Sequence, residues 1–97
     1  MTDRVLTTDA LAEVLPADGL PLATLGEAEV GLWEMAPGVD DDTEVDEVFV
    51  VLAGRGRVSF EDGSVVELAP GVAVRLHAGD RTTWTVTETL RKVYVAL

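Results

Sequence analysis

Residues 46–54 read Asp-Glu-Val-Phe-Val-Val-Leu-Ala-Gly, an acidic start, an apolar run and a closing glycine. This pattern is typical of a β-strand that ends in a turn, and alternate side chains of a strand face opposite sides. Glu47, Phe49 and Val51 therefore share one face, and the side chains between them form a second face that is just as apolar. We predict that the first face lies inside a small β-barrel and that the second is covered by the N-terminal segment or by another subunit.

Short strands separated by turn signals continue on both sides of this stretch. The predicted strands cover residues 29–36, 47–53, 57–60, 65–68, 72–76, 82–87 and 90–97. Asp62-Gly63 lies between two of them and is a good hairpin turn, because both residues tolerate the required backbone angles. Thr82, Trp84 and Val86 alternate with threonines, which predicts an inward and a solvated face. The pattern favours an all-β fold, a small antiparallel jelly-roll β-barrel.

The first 27 residues have a different character. Thr8 to Leu15 is predicted to form a short helix or turn that stops at Pro16, and Leu20 to Leu25 is predicted to form an edge strand. We therefore divide the chain into an N-terminal segment, residues 1–27, and a barrel, residues 28–97. The N-terminal segment is expected to pack on the barrel or on a partner subunit.

Composition limits the classes of function. The chain has 97 residues, no cysteine, and a mean hydropathy of +0.24. It has no run of about 20 apolar residues and no signal-peptide pattern, so we expect one cytoplasmic domain without a membrane span. The net charge of −11 argues against nucleic acid and against anionic membranes as partners. We interpret this acidity mainly as a means of keeping a compact protein in solution.

Several motifs resemble those of the cupin superfamily. Its first motif runs G-x5-H-x-H-x3,4-E-x6-G, and Glu47 with Gly54 matches its E-x6-G end. Its second motif runs G-x5-P-x-G-x2-H-x3-N. The positions of the second motif fall on Gly71, His77, Gly79, Thr82 and Val86. Both glycines are present, whereas the proline, histidine and asparagine are replaced.

A narrower resemblance is to the small cupins grouped with ureidoglycine aminohydrolase and the ethanolamine-utilisation Q protein. It is carried by residues 31–38 (Gly-Leu-Trp-Glu-Met-Ala-Pro-Gly), by Asp46-Glu47-Val-Phe, and by residues 83–94, which begin Thr-Trp-Thr-Val. The resemblance implies a cupin barrel. It leaves the activity open, because cupins include oxygenases, isomerases, hydrolases, storage proteins and sugar-binding domains.

The resemblance also locates the positions of a cupin metal site, and the usual ligands are missing there. The family's histidines would fall at Asp41, Thr43 and Thr82, beside the carboxylate of Glu47. Threonine hydroxyls are poor ligands for first-row transition metals, so we predict neither a metal nor another cofactor. An alternative is Ca²⁺ or Mg²⁺ bound by the acidic run of residues 40–47, which we interpret instead as a solvated loop. If this segment is extended, the alternation of side chains would place Asp40, Asp42, Glu44 and Asp46 on the face opposite to that of Glu47.

Glu47 is the main candidate for chemistry. It is predicted to face the barrel interior, as a general acid or base or as a ligand-binding carboxylate. The alternative is a structural ion pair, for which Lys92, the single lysine of the chain, is the obvious partner. The candidate ligand-binding residues are Trp33, Glu47, Thr82, Trp84, Lys92 and Tyr94.

Each of the other candidates also has a purely structural interpretation. The two tryptophans would line an apolar pocket or simply fill the core. Lys92 would contact a bound anion or carbonyl together with Tyr94, or extend to the barrel rim. His77 is expected in an exposed turn, followed by an Asp80–Arg81 ion pair.

Three functions remain open. The first is a metal-free module that binds a small polar metabolite inside the barrel. The second is an enzyme resembling the aminohydrolase branch, which would act on a nitrogenous or carbonyl metabolite with Glu47 as acid or base. The third is a structural or dimerisation module with a filled barrel. For each of them we expect a homodimer that uses the outward apolar strands.

Overall fold

The computed structural model describes residues 4–97, and this part of the chain is all β, without an α-helix. None of it forms a helix that could cross a membrane. The seven strands are β1 (Leu20–Leu25), β2 (Ala28–Met35), β3 (Gly38–Thr43), β4 (Glu47–Phe60), β5 (Val65–Leu68), β6 (Ala73–Leu76) and β7 (Arg81–Ala96). The strands predicted over residues 47–53 and 57–60 form one continuous strand, β4. Those predicted over residues 82–87 and 90–97 form another, β7.

The two long strands β4 and β7 organise an antiparallel jelly-roll barrel. They pair with each other along most of their length, and the strand order is β1-β2-β7-β4-β5. The first half of β7 also pairs with β3 and its second half with β2, whereas β4 pairs first with β6 and then with β5. Each long strand therefore belongs to both halves of the barrel.

Gly54 lies where β4 and β7 change register. The pairing shifts three times between Val51 and Gly56. A Cβ atom on Gly54 would collide with the carbonyl oxygen of Thr89, and the φ angle of Gly54 is +96°. Only glycine allows both this backbone angle and this close approach of two strands. The glycine of the first motif is therefore a requirement of the fold.

The core is apolar and follows the predicted alternation. Its buried side chains are Phe49, Val51, Val58, Leu68, Val74, Leu76, Trp84, Val86 and Leu90. Phe49 and Val51 are 1% exposed, while Val48 on the opposite face is 47% exposed. The prediction that Trp84 and Val86 face inward is also confirmed, since each is less than 5% exposed.

Of the two predictions for Thr8 to Leu15, the helix is wrong and the turn is present. Residues 10–12 form a single turn, in which the amide of Ala12 donates to the carbonyl of Asp9. The side chain of Asp9 accepts the amide hydrogen of Leu11, which offers the backbone a local alternative to a helix. Eight residues before a proline are too few to overcome this competition.

The acidic run is a strand in its first half, where a solvated loop was predicted. Strand β3 pairs with β7 from Gly38 opposite Val86 to Thr43 opposite Arg81, and all six of its residues are exposed. The turn signals and the acidic composition concealed this strand. Its stability comes from the backbone pairing with β7, which composition does not reveal.

Candidate binding cavity

A cavity of about 130 Å³ lies at one end of the core. Five of the six predicted ligand-binding residues line it, namely Trp33, Glu47, Trp84, Lys92 and Tyr94. Four further lining residues were not predicted, namely Met35, Asp40, Asp42 and Glu44. The cavity joins aromatic side chains to an unusual number of carboxylates. The ligand roles of these residues remain predictions.

Glu47 and Lys92 form an ion pair in the cavity wall. The Nζ atom of Lys92 lies 2.6 Å from Oε2 of Glu47, and the two side chains are 6% and 11% exposed. Both belong to inward faces, Glu47 on β4 and Lys92 on β7 beside the fully buried Leu90. The predicted pairing is therefore present, and Lys92 points inward instead of extending to the rim. Almost complete removal from water makes this pair stronger and more costly to break than a surface pair.

Three aromatic rings surround the ammonium group of Lys92. Its Nζ atom lies 4.7 Å from the ring centroid of Trp33, 4.4 Å from that of Phe49 and 4.9 Å from that of Trp84. Such distances give attractive cation–π interactions. The aromatic residues and Glu47 together stabilise a positive charge at the inner wall of the cavity.

Glu44 forms a second polar cluster with Thr82 and Trp84. Its Oε2 atom accepts hydrogen bonds from the Thr82 hydroxyl at 2.7 Å and from Nε1 of Trp84 at 2.9 Å. Thr82 does not line the cavity, and its hydroxyl instead holds the Glu44 carboxylate in place through this hydrogen bond. The loop that carries Glu44 is held by backbone hydrogen bonds with Gly79 and Asp80.

Tyr94 lines the cavity, and its hydroxyl contacts Glu29, which does not line it. The hydroxyl donates to Oε2 of Glu29 at 2.7 Å, and the ring end lies against Gly31, where a Cβ atom would be 2.5 Å from the Tyr94 oxygen. Burial, followed by this hydrogen bond to Glu29, raises the pKa of Tyr94 to about 12. Tyr94 is therefore a neutral phenol at physiological pH, already bonded to a carboxylate.

The parity prediction for the acidic residues is wrong for Asp40, Asp42 and Glu44. All three line the same cavity as Glu47, because the chain turns between β3 and β4 and the alternation does not continue through residues 44–46. Asp41 faces outward and accepts a hydrogen bond from Thr83. Alternation along β3 places Asp40 and Asp42 on one face and Asp41 on the other, but it cannot relate that face to Glu47 across the turn at residues 44–46.

Asp46 and the turn after β6 lie outside the cavity. Asp46 accepts hydrogen bonds from the amide of Ala78 and from Arg75. The Ala78 amide, followed by Arg75, lowers the pKa of Asp46. His77 is exposed in a turn, as predicted.

The predicted Asp80–Arg81 pair is not formed. Asp80 accepts the amide hydrogen of His77, and Arg81 lies 3.8 Å from Glu61. The short side chain of Asp80 closes its own turn, which leaves Arg81 to pair across the barrel surface.

The positions of a cupin metal site do not fit a transition metal in this chain. Asp41 points away from Glu47, Thr43 is exposed, and Glu47 is already bonded to the ammonium group of Lys92. Among residues 4–97, no group of three or more His, Asp or Glu side chains is arranged to hold a metal ion. A positive charge beside Glu47 would also repel a cation at that carboxylate.

A wider and more open groove of about 680 Å³ lies on the outer surface, between residues of β3, β4 and β7. Of the predicted ligand-binding residues, only Thr82 lines it. It contains no ring cluster or buried ion pair, so the smaller cavity is the better candidate for a binding site.

This fold and the cavity at the end of its barrel define a cupin domain. The model of the EutQ-like cupin domain family matches residues 22–94, and the chain belongs to that family. The family assignment confirms the resemblance inferred from the motifs.

Solved structures agree with this assignment. A protein of unknown function from Rhizobium leguminosarum is 32% identical, with a TM-score of 0.76 over 91% of this chain and 88% of that chain. A DUF861 family protein from Thermotoga maritima is 30% identical, with a TM-score of 0.64 over 68% and 76% of the two chains. The EutQ protein of Clostridium difficile is 26% identical, with a TM-score of 0.69 over 80% of this chain and 64% of that chain. No curated protein matches the sequence.

Proposed function

We propose that this cupin domain is a metal-free module that binds a small polar metabolite in the cavity between β2, β3, β4 and β7. The observation that carries this proposal is the meeting of Trp33, Glu47, Trp84 and Lys92 around one cavity of about 130 Å³. Aromatic walls with a few convergent polar groups are typical of small-molecule sites.

The Glu47–Lys92 pair supports a polar ligand. One carboxylate and one ammonium group, 2.6 Å apart, offer an acceptor and a donor at the inner wall. A ligand can form hydrogen bonds with both groups even if their own contact weakens. The ammonium group of Lys92 remains stabilised, because the aromatic rings still surround it.

A thermal-shift screen of small polar metabolites tests this proposal. A ligand present at about ten times its Kd should add ~1.4 kcal/mol and raise Tm by about 6–11 °C. Trp33→Ala should abolish the shift, whereas Phe60→Ala, outside the cavity, should retain it. If no compound stabilises the wild-type protein, the binding function is wrong and the structural alternative remains.

An enzyme is the second candidate, favoured by the same ion pair. A carboxylate bonded to an ammonium group can exchange a proton with a bound nitrogenous or carbonyl compound, with Glu47 as acid or base. A compound found in the screen should then be turned over by the wild type. The Glu47→Gln variant should bind that compound and leave it unchanged. Equal binding without turnover by both proteins supports the binding module.

The outward apolar residues support a homodimer as part of the proposal. Val48 of β4 lies opposite Val95 of β7, and the two are 47% and 40% exposed. A second copy would cover this face. Val50 is half-buried on the same face of β4, two residues after Val48. Val50→Lys should convert the dimer to a monomer in sedimentation velocity, and a dimer that persists would exclude this interface. A cytoplasmic location, in keeping with the lack of cysteine, also belongs to the proposal.

A further inference from the structure

Glu44 is a buried carboxylate without a positive partner among residues 4–97. It is 8% exposed, and its Oε2 atom is bonded only to the neutral donors of Thr82 and Trp84. The five ion pairs in this part of the chain involve other carboxylates. A carboxylate removed from water without an opposite charge is costly to bury. The lining of the cavity therefore carries a negative charge that the protein itself leaves uncompensated.

The charges around the cavity have the same sign. Four carboxylates line it, from Asp40, Asp42, Glu44 and Glu47, and Lys92 is the one cationic side chain. Lys92 is bonded to Glu47, so three carboxylates remain and the lining has a formal charge of −3 (one positive against four negative). Strand register explains this convergence, because Asp40 lies opposite Trp84 and Asp42 opposite Thr82, both of which face inward.

The cavity also has the walls and the size for a small organic ion. Two rings that line it, those of Trp33 and Trp84, lie within 5 Å of the Lys92 ammonium group, so the aromatic walls already stabilise one positive charge. A volume of about 130 Å³ is near the ~150 Å³ of an engineered apolar cavity that binds benzene. A ligand of about six non-hydrogen atoms would fit.

We propose that the cavity selects a small organic monocation, an alkylammonium or guanidinium compound, with Glu44 as its counter-ion. Asp40 and Asp42 strengthen the attraction from the exposed side of the cavity, and Trp33 packs against the body of the ligand. This inference rests on the proposed binding function and adds the charge of the ligand to it.

Isothermal titration calorimetry with propylammonium, 1-propanol and propionate tests the charge of the ligand. The three probes have similar size and differ in charge. Work at about 0.15 M KCl screens the general field of the acidic protein, because the Debye length is then ~8 Å. Propylammonium should bind saturably at one site per chain, and the neutral and anionic probes should bind at least tenfold more weakly.

Charge-removing variants locate the site. Glu44→Gln should weaken propylammonium binding by about tenfold or more, because a charge-assisted bond is lost. Asp42→Asn should weaken it by about threefold or more and provides the test if Glu44→Gln does not fold. Asp41→Asn is the matched control, since it removes the same charge from the outward side of β3 and should leave the Kd within about twofold.

Any of the following results would overturn the inference. Propylammonium heats no larger than those of added KCl would exclude a cation site. Equal losses in Asp41→Asn and Asp42→Asn would indicate a diffuse charge effect. If propionate or 1-propanol binds the cavity better than propylammonium, the cation class is wrong and the binding function stands. If neither these probes nor any metabolite of the thermal-shift screen binds, both proposals fail.

Discussion

The apolar core and the binding cavity are neighbouring regions that share Trp84 but follow different rules. The core cluster contains only aliphatic and aromatic side chains. The cavity has five ionisable carboxylate and ammonium groups around two tryptophans. Core residues are determined by alternation along each strand, whereas the cavity depends on how the separate strands β3, β4 and β7 converge. One barrel thus combines a region specified by local pattern with a region specified by topology.

Replacing each tryptophan in turn should show most clearly that the core and the cavity contribute differently to the free energy of unfolding. Trp84 is 4% exposed and packs in the core, so Trp84→Ala should lower the free energy of unfolding by about 3–5 kcal/mol. Trp33 is only partly buried and lines the cavity, so Trp33→Ala should cost less than about 2 kcal/mol. Chemical denaturation of both variants measures the difference. Equal losses would show that core and cavity are a single packing unit.

A methyl group at Gly54 should disrupt the pairing of the two long strands β4 and β7. Gly54→Ala should cost about 3 kcal/mol or more, because the new Cβ atom would meet the Thr89 carbonyl and φ would remain positive. Gly63→Ala is the control, since Gly63 has a φ of +90° and no atom within 4 Å of the position that a Cβ would occupy, and it should cost about 1 kcal/mol. Denaturant midpoints check the difference. Similar losses at both sites would refute the close approach at Gly54.

Glu47 and Lys92 are expected to stabilise the cavity wall only when both are present. Lys92→Met should cost about 2–3 kcal/mol, because it leaves the Glu47 carboxylate in a low-dielectric site without its partner. In the double variant with Glu47→Gln, at least ~1 kcal/mol of that loss should return. A double-mutant cycle in denaturant gives both values. Strictly additive losses would mean that the two groups do not interact.

Titration of Tyr94 probes the smallest effect, at the edge of the cavity. Tyr94 is the single tyrosine, so tyrosinate absorbance reports it alone. Its midpoint should be near pH 12, and Glu29→Gln should move it down but not to 10, because burial is the larger cause. The raised pKa contributes stability that is complete below pH 10 and is lost as the pH rises from 10 to about 12. Tyr94→Phe should remove that loss, and an unchanged profile would exclude Tyr94 as its source.

Much of the barrel could be predicted from the sequence because its strands alternate strictly. Phe49, Val51, Trp84 and Val86 have the burial that alternation assigns them. Alternation put Lys92 on one face with Leu90 and Tyr94 but left two alternatives, a contact inside the barrel and an extension to the rim. The structure shows Lys92 inside and paired with Glu47.

The acidic wall of the cavity could not be predicted from the sequence. Strand β3 has no buried residue, so no apolar alternation marks it as a strand. Glu44 lies in the turn after β3, where strand alternation does not apply. Its burial depends on Thr82 and Trp84, which lie 38 and 40 residues later in the chain. Long-range pairing of this kind is visible only once the topology is known.

The indole signals of the two tryptophans give the most direct test of the central claim that the cavity binds a small molecule. Both tryptophans of the chain line the cavity, and Nε1 of Trp84 donates to Glu44. Two-dimensional ¹H–¹⁵N spectra should show saturable shifts of both indole signals with a bound metabolite or with propylammonium, while the amide of Gly63 in the distant hairpin stays fixed. Indole signals that do not move with any compound, or that move no more than Gly63, would contradict a binding site in this cavity.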